Sequence, residues 1–458
     1  MRSPVNFNLL RPALILLFVF LFIPTENNYG LQRMVNAEVL TMEEENRLTA
    51  LLFRQMYRRF DSIVDVCHHS LGFNGNILLA HDNEIVYQAC SGYEDAHLIR
   101  LRPETSFQLA SVSKQFTAMA ILILEAEGKL RLDDPLRNSI PELPYQGVTI
   151  RHLLNHTSGV PNYLWYIDQY WTSDSLLPTN EDLVSILAEH GDRMNFDPGE
   201  RFSYSNTGYA LLASVVERIS GQSFGSFLTE RIFIPLHMEN ASVHAPNVRA
   251  ADPFYLVGYR WNRSEKNAFQ TVMHDGIVGD KGVYASVEDL FKWDQALNSG
   301  KLVPHRSIQQ AITAGKLDSD REIPYGFGFR LDFDSTSKVV YHYGRWSGFR
   351  TAFVKYLPDN LTIIVLNNTS FNGVDQIVEA FRETWVDLSV CQASKEIAQA
   401  LLTGGMEKGL ALYSAQSNDA REWVTRSKVF LRMADYLESQ GKAHKAKEVR
   451  EFCQALPA

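Results

Sequence analysis

Ser111 and Lys114 are a pair whose types and spacing are suited to chemistry. If a helix begins near Ser111, both side chains project from one face of its first turn. A serine hydroxyl is a weak nucleophile at neutral pH and needs a base beside it. An amine serves as that base only while it lacks its proton, and burial disfavours the ammonium form. Phe107, Leu109, Phe116, Met119 and Ile121 supply apolar neighbours for such burial. Ser111 would also lie at the positive end of the helix dipole, where a developing oxyanion is favoured. The spacing alone is not specific. Ser335 with Lys338 and Ser439 with Lys442 repeat it, and both of those read as turns.

Two further stretches give the pair its meaning. Tyr204 and Asn206 form a Y-x-N in a loop that leads into a helix. A phenol there can relay a proton to a leaving group, and an amide can hold Lys114 and a substrate carbonyl in place. His342 and Gly344 form an H-x-G at the end of a strand. A glycine at that point lets substrate backbone approach closely. The N–H of Arg345 would pair with that of Ser111 as an oxyanion hole. His274 and Gly276 repeat the H-x-G spacing, but no strand leads into them. A literal G-x-S-x-G at Gly221, Ser223 and Gly225 follows a helical pattern. It therefore reads as a helix stop and a cap, not as the strand-to-helix elbow of an α/β-hydrolase.

The elements that must position these residues follow from pattern. Thr41–Glu44 resembles a capping box that opens a helix to about Phe60. Strand-like runs at 76–80 and 84–88 flank the turn at 81–83. The helix after Ser111 runs to Glu127, with Gly128 as a natural terminator. From about 136 to 274 the chain reads as helix and loop, with Asn180 capping one helix and another over 207–219. Strand-like runs return at 327–333, 338–341, 350–356 and 361–366, and their short connections predict an antiparallel meander. Strands at both ends with helices between predict an α+β fold: an antiparallel sheet flanked by helices, with an inserted all-helical domain. Residues 38–390 would form this domain. Residues 391–458 read as a helical tail, with helices over 420–437 and 443–456 that weakly resemble one tetratricopeptide unit.

Composition limits the function. The chain has 458 residues and a formal net charge of −9, which argues against nucleic acid as the main partner. Arg2 and Arg11 precede an apolar run over 13–23 bracketed by Pro12 and Pro24, the proportions of a secretory signal. Residues 1–37 are read as that signal, and a membrane enters only if the segment stays uncleaved. Cys67, Cys90, Cys391 and Cys453 form no metal-binding spacing, and the histidines show no ligand pattern, so neither metal nor cofactor is expected.

The order S-x-x-K, Y-x-N, H-x-G resembles the serine β-lactamase and penicillin-binding-protein superfamily. Its class C-like branch, which includes D-alanyl-D-alanine carboxypeptidases, D-aminopeptidases and esterases, is the nearest match. Three more stretches share the likeness: 149–159, 198–200 and 279–289. It covers about 60–390. The resemblance implies a serine hydrolase that forms an acyl-enzyme on an amide or ester, acting on a small-molecule or peptide substrate. Ser111 would be the nucleophile, Lys114 the base and Tyr204 the proton relay. Asn206, His342, Gly344 and Arg345 would bind substrate. Better-studied relatives have lysine where this chain has His342, and a mostly neutral histidine is weaker at holding a carboxylate. Arg345 or Arg350 would then compensate. The alternative is a catalytically inactive protein of the same fold, used for binding or assembly, with the C-terminal helices engaging a protein partner.

Overall fold

The computed structural model describes residues 42–94, 99–246, 255–261, 266–332 and 338–386, together with 443–455 and a few isolated positions of the tail. The N-terminal apolar run, Cys391 and most of the expected helix over 420–437 lie outside the described residues. The chain divides into two compact units. One is Ile63–Glu379, and the other takes in the chain before and after it.

The first unit is built on a six-stranded antiparallel sheet. Its strands are β1 (Gly75–His81), β2 (Glu84–Ser91), β3 (Arg330–Asp332), β4 (Val339–Trp346), β5 (Phe349–Tyr356) and β6 (Leu361–Asn367). Their spatial order is β3-β4-β5-β6-β1-β2, so the N-terminal hairpin adds to the edge of the C-terminal meander. β6 is buried along its whole length, as is β1 up to His81. Residues that alternate between faces can all be buried only if both faces are covered. On one side lies a helix over Val287–Ser299, capped by Ser286 with Asp289 in a capping box. It is tied to the sheet by a buried ion pair between Asp294 and Lys355, 2.8 Å apart.

The β4–β5 hairpin turns at Ser347 and Gly348, with φ of 37° and 87°. Positive φ at both central residues marks the two-residue turn that matches strand twist. Trp346 and Phe349 close it.

The described helices include α1 (Met42–Leu71) and four that surround the site: α2 (Ser113–Ala126), α3 (Tyr163–Tyr170), α4 (Asn180–His190) and α5 (Asn206–Ser220). α1 runs on well beyond the expected end at Phe60, to Leu71. α2 is buried from Ser113 to Leu124, which its unbroken apolar run dictates. It stops where Gly128 takes a left-handed φ of 72° and the Lys129 N–H bonds back to the Leu124 carbonyl. The cap of α4 is Thr179, not Asn180. Asn180 instead turns inward and donates to the carbonyls of Ala210 and Val278. The inserted region is not purely helical: Ser242–Val243 pairs with the strand Val283–Ala285, and Tyr259–Trp261 pairs with Lys266–Ala268. Ser223 caps a short helix over Phe224–Leu228 through the Ser226 N–H, behind a Gly221 that ends α5, so no nucleophile elbow exists there. The described tail contains a helix over Ala443–Ala455. No helix among the described residues is long and apolar enough to cross a membrane.

Candidate active site

Ser111 lies in a single 3₁₀ turn, Ala110–Val112, that leads directly into α2. Side chains three apart in such a turn lie almost over each other. Lys114 Nζ reaches Ser111 Oγ at 3.1 Å. Its other two contacts are the Asn206 Oδ1 at 2.9 Å and the Asp280 carbonyl at 2.8 Å. Neither acceptor can give a proton. All three partners are oxygens that can accept from Nζ, and two of them would still do so if the third position held a lone pair facing the hydroxyl, which is the arrangement a base needs. Lys114 is fully buried, so these three partners are its whole solvation.

The same helix grips the bend that supplies Asp280 and the strand that follows it. The Val283 N–H donates to Ser113 Oγ at 3.1 Å, and Thr117 Oγ1 donates to the Gly279 carbonyl at 2.6 Å. Ala110, just before Ser111, has a φ of 49°, an unfavourable conformation for a residue with a Cβ. The turn is held in it by β4. A Cβ on Gly344 would lie 2.1 Å from Thr351 Oγ1 and 2.3 Å from the Leu109 carbonyl. Gly344 therefore lets the sheet edge abut the Ser111 turn, where sequence alone read it as room for substrate.

Tyr204 and Asn206 arrive together at the start of α5. The Tyr204 ring centroid is 5.0 Å from Lys114 Nζ, and its hydroxyl is buried with no hydrogen-bond partner among the described residues. Such an atom is costly unless something else occupies it, which a reacting group would. The guanidinium of Arg330, on β3, lies 4.9 Å from the same ring. Sequence reasoning passed over Arg330, because nothing in its own strand points to a loop more than a hundred residues earlier.

His342 is placed differently from expectation. Its ring is 1% exposed. Nδ1 donates to the Tyr343 carbonyl at 2.8 Å, and Nε2 accepts the Tyr325 hydroxyl at 3.0 Å. Burial, and then the Lys114 charge, hold it well below the usual histidine range. It is a neutral ring sealed beneath the site and does not present a charge to a substrate carboxylate. Arg350 is held back from solvent: its Nη1 donates to the Phe349 carbonyl, and burial followed by Arg345 lowers its pKa to about 10, which leaves it charged at neutral pH. The Arg345 side chain is exposed. Its backbone has a clearer part. Antiparallel pairs alternate, so if Trp346 and Phe349 exchange the bonds that close the hairpin, Arg345 opposite Arg350 is a non-bonded pair. Its N–H then points away from β5, along the edge that β3 leaves open beyond Tyr341 and that packs on the Ser111 turn.

Beside Tyr204 and Asn206 is a cavity of about 180 Å³, lined among others by Asn162, Asn195, Phe196 and Ser203. The lining is mainly polar. Tyr163 is turned inward, bonded to Asp280 and Lys281, and Trp165 faces outward. Among the described residues no group of three or more His, Cys, Asp or Glu could hold a metal ion.

Two buried histidines make stability depend on pH. His156 and His342 are both held well below the ordinary histidine value of 6.5, first by burial and then by Lys114; Arg330 adds to both, and His156 also faces His342. Above that value both rings are neutral, folded or unfolded. Below it the unfolded chain takes up protons that the folded chain refuses, so stability falls as pH falls. Each such group gives about 1.4 kcal/mol per pH unit, so the pair gives about 2.7. Glu125, Glu217 and Asp289 are raised by burial and begin to offset this at lower pH. Urea unfolding between about pH 7 and pH 5 is expected to show this slope. A midpoint that stays flat across the interval would contradict it.

An antiparallel sheet with helices packed on it, and a serine served by a buried lysine at its edge, define a serine hydrolase of the acyl-enzyme type. The Beta-lactamase family model matches residues 62–383. The chain is 37% identical over 310 residues to Penicillin-binding protein 4* of Bacillus subtilis, covering 65% of this chain and 68% of that one. The octameric penicillin-binding protein homologue from Pyrococcus abyssi superposes with a TM-score of 0.61 at 27% identity, over 72% of this chain and 77% of that one. The penicillin-binding protein from Bacillus halodurans does so with a TM-score of 0.61 at 26% identity, over 71% and 98%. The chain belongs to the β-lactamase family.

Proposed function

We propose that Ser111 is the residue acylated. Lys114 takes its proton as Oγ attacks a substrate carbonyl. The N–H groups of Ser111 and Arg345 receive the oxyanion. Tyr204 Oη protonates the departing amine or alcohol, and Asn206 keeps Lys114 and the substrate carbonyl aligned. Water then enters and gives a proton to the Tyr204 phenolate as it attacks the ester carbonyl, and Lys114 returns its proton to Ser111 Oγ as the acyl-enzyme bond breaks. The observation that carries this reading is the contact set of Lys114: one hydroxyl and two carbonyl oxygens.

We assign the substrate to small peptide-like amides or esters with an acidic group near the scissile bond, and β-lactams to its acylating analogues. Arg330 supports this choice. Its guanidinium lies beside the Tyr204 ring, while His342 is neutral. The polar cavity suits a hydrogen-bonding side group better than a large apolar one. Residues 1–37, read as a signal, would place the reaction outside the cytoplasm.

The test is a panel of D-alanyl-D-alanine peptides, nitrocefin and neutral p-nitrophenyl esters, with trapped adducts located by mass spectrometry. A charge-assisted contact contributes about 1.5–3 kcal/mol, so Arg330→Leu is expected to raise KM for carboxylate-bearing substrates by about 10–100-fold. Turnover of the neutral esters should stay within about threefold. An equal loss on both substrate kinds would remove Arg330 from substrate recognition.

A further inference from the structure

The stretch 149–159 has no part in the chemistry above, yet it holds the loop that carries Tyr204. The Gly159 carbonyl accepts the Asn195 N–H at 2.8 Å, the Thr157 carbonyl accepts the Gly199 N–H at 2.9 Å, and the His156 carbonyl accepts the Ser203 N–H at 2.9 Å. The His156 ring adds a fourth bond: its Nδ1 accepts the Ser205 N–H at 3.1 Å. One residue therefore grips the backbone on both sides of Tyr204, and the second grip adjoins Asn206. His156 has a φ of 59°, a left-handed conformation.

The ring also packs against the phenol itself. Its centroid lies 4.3 Å from the Tyr204 ring, 5.0 Å from that of Tyr209 and 4.4 Å from that of Tyr325. Tyr204 and Tyr209 are the rings that face Lys114 Nζ. With Nδ1 accepting, the proton lies on Nε2. That atom is buried with no hydrogen-bond partner among the described residues, like the Tyr204 hydroxyl. A hydrocarbon of similar size would fill the space without burying that N–H, so packing alone does not account for a histidine here. What a hydrocarbon lacks is an acceptor for Ser205.

We propose that His156 is a positioning residue: through the N–H groups of Ser203 and Ser205, and through its ring, it sets Tyr204 Oη and Asn206 Oδ1 relative to Lys114. This rests on the reading of Tyr204 as proton donor. Asparagine offers an acceptor where Nδ1 lies and tolerates a positive φ. Glutamine carries its acceptor one bond too far out.

The experiment compares His156→Gln and His156→Asn in the full chain, each alone and with Tyr204→Phe, by steady-state and burst kinetics on a p-nitrophenyl ester. Thermal unfolding checks each fold. His156→Gln is expected to lower kcat by about 30–100-fold with KM within about threefold, as misplacement of a proton donor does. His156→Asn should recover kcat to within about fivefold of the parent. In the Tyr204→Phe background the His156→Gln loss should shrink to about twofold, because the two act as one unit. A parental kcat in His156→Gln overturns the proposal, and so does a loss that stays undiminished in the Tyr204→Phe background. If His156→Gln does not fold, His156→Asn decides: near-parental kcat supports it, and a full loss in a folded variant overturns it. Persistence of acylation in Ser111→Ala would instead sink the underlying site assignment, whatever the His156 variants do.

Discussion

Ser111→Ala is expected to fold normally and to lose covalent labelling by a fluorescent penicillin or a fluorophosphonate. The substitution deletes the atom that forms the acyl bond, while the oxyanion hole and the binding surface stay in place. In enzymes that use an activated serine, what remains is about 10³–10⁴ over water, so kcat should fall by at least about 10⁴-fold. The structural cost is small. The Ser111 hydroxyl has Lys114 as its hydrogen-bond partner, and Lys114 keeps the Asn206 and Asp280 oxygens when it is removed. One lost bond costs about 1 kcal/mol, a shift of a few degrees in Tm. Intact-mass spectrometry reads the label directly. An adduct still present on the alanine variant would move the nucleophile elsewhere.

Lys114 supplies the second large effect, and two substitutions separate its charge from its basicity. Lys114→Met keeps the length of the side chain and removes the amine. Loss of a general base costs about 10²–10⁴ in rate. Lys114→Arg keeps a positive charge but offers no lone pair, because the guanidinium stays protonated. Both variants are expected to lose acylation alike. Were the Lys114→Arg variant substantially active, Lys114 would be acting as a fixed charge, and Ser111 would need another base. Both should also be less stable. Methionine leaves the Asn206 and Asp280 oxygens without a donor, at about 1–3 kcal/mol each, and arginine is too large for a space that is fully enclosed. Burst kinetics on a p-nitrophenyl ester, measured below the lowered Tm, keep the two effects apart.

Much of the frame is legible along the chain because its causes are local. The apolar run from Phe116 to Leu124 dictates a buried helix. Gly128 ends it, and the runs at 76–80, 84–88, 350–356 and 361–366 each became a strand within a residue or a few of the expected limits. Ser111 and Lys114 meet because they are one turn apart. That contact is a property of the helix and needs nothing distant.

The distant contacts follow a different rule. His342 has the right spacing from Gly344, yet its position within β4 faces Tyr325, and the buried hydroxyl and the Tyr343 carbonyl fix it as a neutral ring. Arg330 has no local mark. Only the short pairing of β3 with β4 brings it over a ring from the start of α5.

The sequence by itself determined that Ser111 and Lys114 meet, and the order of helix and strand around them, since hydrophobic period and helix pitch act over a few residues. The tertiary structure decided which carbonyls satisfy the amine, which histidine is sealed away and which arginine faces the phenol. Those depend on the register of strands and on loops closed across as many as 166 residues, where burial and hydrogen-bond completion choose the partner.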